Sequence, residues 1–239
     1  MEPSDERFRP GDFFLSADDL PVGRLESALN AASGVRLLIA RAYAPRAYVY
    51  TRHTDVRRST DDPVTALRWH ELEISAEELL RRGTFLREMG RLSRDPFPSP
   101  PRTPPDHKAA AAEVGRALDE DPLTTGSEIA AMVQHGVAVL DGWLDTVGGK
   151  VAADRLARTT PGIWDAVNRL YSDEELNAAV RTYLRSRVEL APAIQDVKVT
   201  SGRVTITVIR DASMLEQAAQ HIRVAVPGIR AITVEAAPG

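Results

Sequence analysis

The sequence predicts an α+β protein with a small N-terminal α+β domain, a proline-rich linker and two αββαβ domains. Three observations support this prediction. Six prolines fall between residues 95 and 108, the chain downstream repeats itself at an offset of 66 residues, and apolar residues there switch between helical and alternating spacing. The predicted domains are residues 1–94, 109–171 and 172–239, with residues 95–108 as the linker.

The composition predicts a folded chain without thiol chemistry. Of its 239 residues 43% are hydrophobic, the formal net charge is −4, and there is no cysteine, which excludes disulfides, thiolate metal ligands and thiol nucleophiles. The opening segment is charged and no run of about 18 apolar residues occurs, so neither a secretory signal nor a membrane span is predicted. We therefore expect a cytoplasmic protein, either free or peripheral to a membrane or an assembly.

The predicted linker reads DPFPSPPRTPPDHK. Proline fixes φ and removes a backbone donor, so this segment favours an extended, semi-rigid spacer. A ligand for a proline-reading partner domain is the alternative. Residues 1–105 carry 16 basic and 16 acidic side chains, and residues 106–239 carry 14 basic and 18 acidic ones. The acidic excess therefore lies entirely downstream.

The downstream part contains two ungapped copies of one unit. The strings TTPGI and AVPGI lie 66 residues apart, and the same offset aligns identical or similar apolar residues along both copies. The aligned pairs include Val114 with Val180, Leu118 with Leu184, Leu140 with Ile206, Ala153 with Ala219, and Leu156 with Ile222. We expect the two copies to share one fold.

Each copy is predicted to run helix, hairpin, helix and strand. EVGRALDED and AAVRTYLRS have apolar residues four apart, which is typical of a helix face. The next segments alternate apolar and polar residues around a glycine, and this predicts two strands joined by a tight turn. Alanine-rich segments then resume helical spacing. A Pro-Gly pair ends each of them and begins a last strand.

The N-terminal segment matches no family on its residues. Apolar spacing predicts a helix over Leu20–Gly34 that closes on its glycine. Two apolar runs around Pro45 predict a hairpin, and LRWHELEI predicts a third strand. Ser75 with Glu78 forms a capping box before SAEELLRRGTFLREMGRL, predicted as a helix. The α-β-β order leaves open a degenerate third copy of the repeat.

Enzyme signatures are poor, since no phosphate-cradling loop, nucleophile elbow or zinc-binding helix motif is present. The candidate enzyme site is a group in the N-terminal domain, namely His53, Asp55, Arg57, Arg58 and His70. On a strand, His70 would face away from Glu71 and Glu73, so the prediction is a surface histidine rather than a metal or general-base site. No catalytic residue, metal ligand or cofactor is predicted.

Glycines and tryptophans mark the candidate surfaces of the repeats. The glycines predicted to serve turns and tight strand packing are Gly136, Gly142, Gly162, Gly202 and Gly228. In the first copy, Trp143 and Trp164 leave the helix-covered face if Leu144 and Ile163 point inward. They are the candidate contacts for a protein partner, a lipid headgroup layer or the sister repeat. Their equivalents in the second copy are Ile209 and Arg230.

These residues carry a resemblance. The order of elements, with GVAVLDG from Gly136 and PGIWDAVN from Pro161, resembles the BON domain family. The second copy resembles it less completely, because Val208 stands where the first copy has Gly142 and Val234 where it has Asn168. The resemblance implies tandem copies of a typically non-catalytic domain. It associates them with the bacterial envelope, phospholipid binding or osmotic stress, and in one cytosolic branch with potassium.

We therefore predict a non-catalytic adaptor that uses its tandem repeats to dock on a membrane surface or a protein partner. The alternatives are a structural component of a larger multiprotein assembly and a sensor of potassium or a small ligand. The repeats carry an acidic excess and no basic cluster, which speaks against simple attraction to anionic lipid. Nothing offers a basic stripe for nucleic acid.

Overall fold

The computed structural model describes residues 7–32, 34–43, 47–82, 84–86, 91–93, 106–187, 190–209 and 213–237. Most of the predicted linker, residues 95–105, lies outside these ranges. The chain forms two compact units, one of residues 1–110 with 133–137 and one of residues 111–132 with 138–239. The α+β class is confirmed, while the predicted domain boundaries stay a prediction.

The N-terminal unit is built on an eight-stranded sheet and includes a short helix, α1 (Ala76–Arg81). The sheet order is β5-β6-β1-β2-β3-β4-β7-β8. The strands are β1 (Phe13–Leu15), β2 (Pro21–Ala31), β3 (Gly34–Arg41), β4 (Ala47–Arg52), β5 (Val56–Asp61), β6 (Arg68–Leu72), β7 (Thr84–Leu86) and β8 (Arg91–Ser93). The predicted β3–β4 hairpin and the predicted strand β6 are confirmed.

The helix predicted over Leu20–Gly34 is wrong, because β2 covers Pro21–Ala31 of this segment and Gly34 begins β3. Leu25 is buried and Leu29 is exposed, although a helix and a regular strand would both place them on one face, because a register shift lies between Leu25 and Ser27. Strand β2 pairs antiparallel with the apolar strand β3, so that Leu25 faces Ile39. Pairing with a distant apolar strand overrides local helical spacing here.

The predicted helix after Ser75 begins as expected but ends early. The Glu78 backbone N–H donates to Ser75 Oγ at 3.2 Å, and α1 ends at Arg81. The residues beyond it enter the sheet as β7, which pairs antiparallel with β4, and as β8, which pairs with β7. Pairing with the open edge of β4 therefore makes these residues strands, although the sequence alone predicted that they continue the helix. Strands β1 and β5 were also missed.

Both predicted αββαβ units are confirmed as sequences of elements. The first comprises α2 (His107–Glu120), β9 (Glu128–Gln134), β10 (Val137–Leu144), α3 (Val147–Thr159) and β11 (Asp165–Ser172). The second comprises α4 (Asp173–Arg185), β12 (Ile194–Thr200), β13 (Arg203–Val208), α5 (Ser213–Ala225) and β14 (Ala231–Ala236). The sheet orders β11-β10-β9 and β12-β13-β14 both place the second hairpin strand in the middle. The two αββαβ segments, here called the first and second repeats, therefore share one topology.

The repeat frame is visible in the cores. Residues paired at the offset of 66 are buried in both repeats, namely Val114 with Val180, Leu118 with Leu184, and Leu140 with Ile206. The chain passes from β11 into α4 without an intervening residue, since Ser172 ends the strand and Asp173 begins the helix. Ser172 Oγ caps α4 by accepting from the Glu175 backbone N–H at 3.1 Å. A shared, capped boundary leaves no flexible segment between β11 and α4.

Candidate functional site

His70 is the buried centre of a hydrogen-bond chain in the N-terminal unit. Its Nδ1 is 2.7 Å from Ser59 Oγ, and its Nε2 is 3.0 Å from Asp12 Oδ2. The imidazole is fully buried and stacks on the ring of Phe14 at a centroid distance of 4.8 Å. The prediction of a surface histidine is therefore wrong. Strand β6 lies between β5 and β1, and its consecutive residues Trp69 and His70 are both buried.

Asp12, His70 and Ser59 have the residue types of an acid–base–nucleophile chain. In such a chain the imidazole must pass a proton to a substrate atom, which requires access. His70 exposes no surface, and each of its ring nitrogens already has a partner. We interpret the three side chains as a structural link between the start of β1, β6 and β5.

Three other residues of the candidate enzyme site, namely His53, Asp55 and Arg58, have separate partners. His53 Nδ1 is 3.2 Å from the Val35 carbonyl oxygen, and Arg58 forms an ion pair with Glu71. Asp55 accepts from Thr51 Oγ1 and from Arg82, while Arg57 is an exposed residue of β5. In the described ranges no hydrogen bond or ion pair joins His53 to His70, and no group of three or more potential metal ligands occurs. The absence of an enzyme activity stays a prediction.

The first repeat and the second repeat meet at Trp143. The indole Nε1–H donates to the carbonyl oxygen of Gly228 at 2.7 Å, and the half-buried ring packs against the core of the second repeat. The ring of Tyr171 lies nearly parallel to it, at a centroid distance of 6.3 Å and an angle of 27°. We call the contact of Glu128, Trp143 and Tyr171 with Gly202, Gly228 and Arg230 the repeat junction.

Two turn glycines of the second repeat make this approach possible. A Cβ atom at Gly202 would lie 2.3 Å from Trp143 Nε1, and one at Gly228 would lie 2.3 Å from Tyr171 Cδ1. Both residues also have positive φ, at 72° and 94°. Any side chain at either position would therefore strain the backbone and displace an aromatic ring of the first repeat.

Arg230 of the second repeat contacts both Trp143 and Glu128 of the first. Its guanidinium carbon lies 4.3 Å from the centroid of the Trp143 ring, and its Nη1 forms an ion pair with Glu128. Arg230 is the counterpart of Trp164 at the offset of 66. The arginine side chain thus combines a cation–π contact with a charge pair between the repeats.

Asp173 fixes the turn that carries Gly202. The carboxylate of this buried first residue of α4 accepts from the backbone N–H of Ser201 at 2.6 Å and from that of Gly202 at 2.9 Å. Hydrogen bonds to a carboxylate are among the stronger ones in proteins. The hairpin turn of the second repeat is therefore held against the end of β11 as well as against Trp143.

The junction gives a pH dependence with a defined sign. The hydrogen bond from Arg230 lowers the pKa of Glu128 below its usual value. A lowered pKa in the folded state adds stability above the unfolded value, and that stability is lost as pH falls through the folded pKa. We expect the stability difference between the natural chain and Glu128→Gln to be constant near neutral pH and to vanish between about pH 5 and 3. Urea unfolding at several pH values measures it, and a difference that grows on acidification would contradict this assignment.

The remaining predicted site residues lie in the repeats as follows. Trp164 is half-buried between Ile163 and β11. The five glycines all have positive φ: Gly136 75°, Gly142 135°, Gly162 85°, Gly202 72° and Gly228 94°. Sequence reasoning missed Glu128, Tyr171 and Asp173 entirely. The one available signal was Arg230, which occupies the place of Trp164 but differs from it in chemistry.

A small αββαβ unit with glycine turns defines a class of fold rather than a particular activity. Residues 106–170 match the model of the BON domain family, and the chain therefore contains one BON domain at these residues. Within the described parts of the chain, no helix is long and apolar enough to cross a bilayer. A search of curated proteins found no significant match.

Among solved structures, two from Chlamydia trachomatis resemble this fold. Both are of CdsD, described as a structural protein of the type III secretion system, and both are 22% identical in sequence. The first match has a TM-score of 0.44 and covers 55% of this chain and 64% of that one, which is less than two thirds of its length. The second, of the C-terminal domain, has a TM-score of 0.46 and covers 56% of this chain and 68% of that one.

Proposed function

We propose that the chain is a non-enzymatic structural component of a larger multiprotein assembly, in which the two repeats act as one rigid module. The observation that carries the proposal is the repeat junction. Trp143, Tyr171 and Glu128 bind the turns of the second repeat through a hydrogen bond, close ring contacts and an ion pair. These residues are used to fix one repeat on the other, not to form a substrate cleft.

The second repeat is, in this proposal, a second BON-type domain. The shared element order, the same middle strand and the matched core residues support it. Val208 and Val234 depart from the glycine and asparagine of the first repeat. In the first repeat the Asn168 side chain donates to the Lys150 carbonyl oxygen at 2.9 Å, a bond that valine cannot make.

A fixed junction suits a scaffold better than a flexible adaptor. Because α4 follows β11 directly and the Gly228 turn of the second repeat accepts a hydrogen bond from Trp143 of the first, the module presents its outer surfaces at a set spacing. Preorganised surfaces lose less conformational entropy on assembly. An adaptor that must reach variable partners would more often carry a flexible segment at this point.

The second repeat offers a surface for a neighbouring protein. Helix α5 and strand β14 border an open groove of about 750 Å³, with Val224 86% exposed beside Ile232 and Val234. Strand β14 is an edge of its sheet and is hydrogen-bonded to β13 on one side. Exposed sheet edges with apolar neighbours are common protein contact sites.

The proposal is tested by the size of the native complex. We expect the tagged chain, expressed in its own cells, to elute in a discrete high-mass fraction of constant composition. Val224→Glu should shift it towards the monomer. The matched control is Val151→Glu, the same substitution at an exposed valine of helix α3, and it should cause no shift. A chain that is monomeric in every extract and after cross-linking would contradict the assembly role.

Docking on a membrane and sensing potassium stay predictions. The Trp143 indole N–H is bonded within the chain, to the carbonyl oxygen of Gly228. The excess of acidic side chains in residues 106–239, 18 against 14 basic ones, does not favour anionic lipid.

A further inference from the structure

Arg36 and Arg52 face each other on neighbouring strands of the N-terminal unit. They are Cα partners in the antiparallel β3–β4 ladder, and both are exposed. Side chains directly opposite each other in such a ladder have Cβ atoms about 5 Å apart, and like charges at that distance are destabilising. The protein thus bears an electrostatic cost on this face.

Among the described residues, no carboxylate relieves that cost. In the part of the chain that the structure describes, neither Arg36 nor Arg52 forms an ion pair. Other arginines of the unit do, as Arg58 with Glu71 and Arg81 with Glu77 show. The two guanidinium groups are therefore available to an anion from solution.

The two arginines border a concave surface rather than a flat one. A cavity of about 470 Å³ is lined by Arg36, Tyr50, Thr51, Arg52, Asp55 and Arg82. This volume accommodates a tetrahedral oxyanion with part of the group that carries it. The cavity lies wholly within the N-terminal unit and uses no residue of the repeats.

The single carboxylate in the cavity is already engaged. Asp55 Oδ2 accepts from the Arg52 backbone N–H at 3.0 Å, from Thr51 Oγ1 at 2.9 Å and from Arg82 Nη1 at 2.9 Å. Burial raises the pKa of Asp55, but these donors outweigh it and hold the pKa below its usual value. Asp55 thus anchors Arg82, and the lining keeps an excess of positive charge.

We propose that this cavity is a binding site for a phosphate-type oxyanion, held between the guanidinium groups of Arg36 and Arg52. The planar fork of arginine matches two oxygens of a phosphate group at once, and two facing forks can grip opposite sides of it. A bound dianion also removes the repulsion between the two strands. The site is independent of the structural role proposed for the repeats.

Titration of the full chain with sodium phosphate, at ionic strength held constant with sodium chloride, tests this site. Saturable binding is expected by calorimetry, with a matching rise in melting temperature. Arg36→Ala and Arg52→Ala should each weaken binding about tenfold or more, because each removes charge-assisted hydrogen bonds. Arg36→Lys should give an intermediate loss, since it keeps the charge but not the fork.

Arg57→Ala is the matched control, as Arg57 is an exposed arginine of the same sheet that does not line the cavity. It should leave phosphate affinity within about twofold, because charges outside the site are screened. In phosphate-free buffer the Arg36 and Arg52 variants should melt no lower than the natural chain, since a like-charge contact is lost.

O-phosphoserine as a second probe distinguishes a free anion from a phosphate carried on another molecule. Binding of either probe that depends on Arg36 and Arg52 supports the site. The proposal is overturned if the natural chain shows no saturable response to either probe, or if Arg57→Ala loses as much affinity as Arg36→Ala.

Discussion

Replacing Trp143 with alanine should lower the free energy of unfolding of the two-repeat module by about 3 kcal/mol, the lower part of the range for removing a packed tryptophan. The change removes the hydrogen bond to Gly228, the ring contact with Tyr171 and the cation–π contact with Arg230. Because these contacts join the repeats, their loss should also split one cooperative unfolding transition into two. Urea denaturation followed by circular dichroism and by hydrogen exchange of the core amides measures both effects.

Trp164→Ala is the control for this prediction. Trp164 is also a half-buried tryptophan of the first repeat, and it is not one of the residues that define the repeat junction. Its replacement should destabilise the first repeat and leave the coupling between repeats intact. If Trp143→Ala left a single transition at the natural midpoint, the junction would not be the element that makes the module rigid.

Replacing His70 with alanine should destabilise the N-terminal unit by about 3 kcal/mol. The variant leaves a cavity beside Phe14 and deprives the buried Asp12 carboxylate of its imidazole partner. Ser59→Ala should cost about 1 kcal/mol, because Ser59 is exposed and loses a single hydrogen bond. Protection of the β1 and β6 amides against hydrogen exchange reports the loss within this unit.

His53→Ala provides the comparison, since His53 is only half-buried and its ring nitrogen lies 3.2 Å from the Val35 carbonyl oxygen. It should cost clearly less than His70→Ala. The structural interpretation of the buried chain would fail if Ser59 reacted with a fluorophosphonate probe and if His70→Ala abolished that reaction without unfolding the unit. Such a result would restore the enzyme alternative.

The elements of the repeats could be predicted because the sequence signals that specify them lie within each element. Helical spacing, alternation around a glycine and the Pro-Gly turns specify each element within a few residues, and the offset of 66 residues doubles every signal. Val114 and Val180 are buried because they sit on the same face of the same helix in each copy. The N-terminal unit lacks this redundancy, and its β2 segment carries helical spacing that only the pairing with β3 overrides.

The junction could not be predicted because it joins residues that are distant in sequence. Trp143 and Gly228 are 85 positions apart, and no pattern near Trp143 distinguishes a contact with the sister repeat from one with an external partner. The exposed arginine pair was hidden for the same reason. Only the β3–β4 register shows that Arg36 lies opposite Arg52.

The most direct test of the account measures the distance between the two repeats. The chain contains no cysteine, so spin labels can be attached to cysteines introduced at the exposed positions Val151 and Val224 alone. Pulsed electron–electron double resonance on the labelled full chain should give one narrow distribution of distances between the two labels, and Trp143→Ala should broaden it. A broad or multiple distribution in the otherwise natural chain would contradict a rigid two-repeat module.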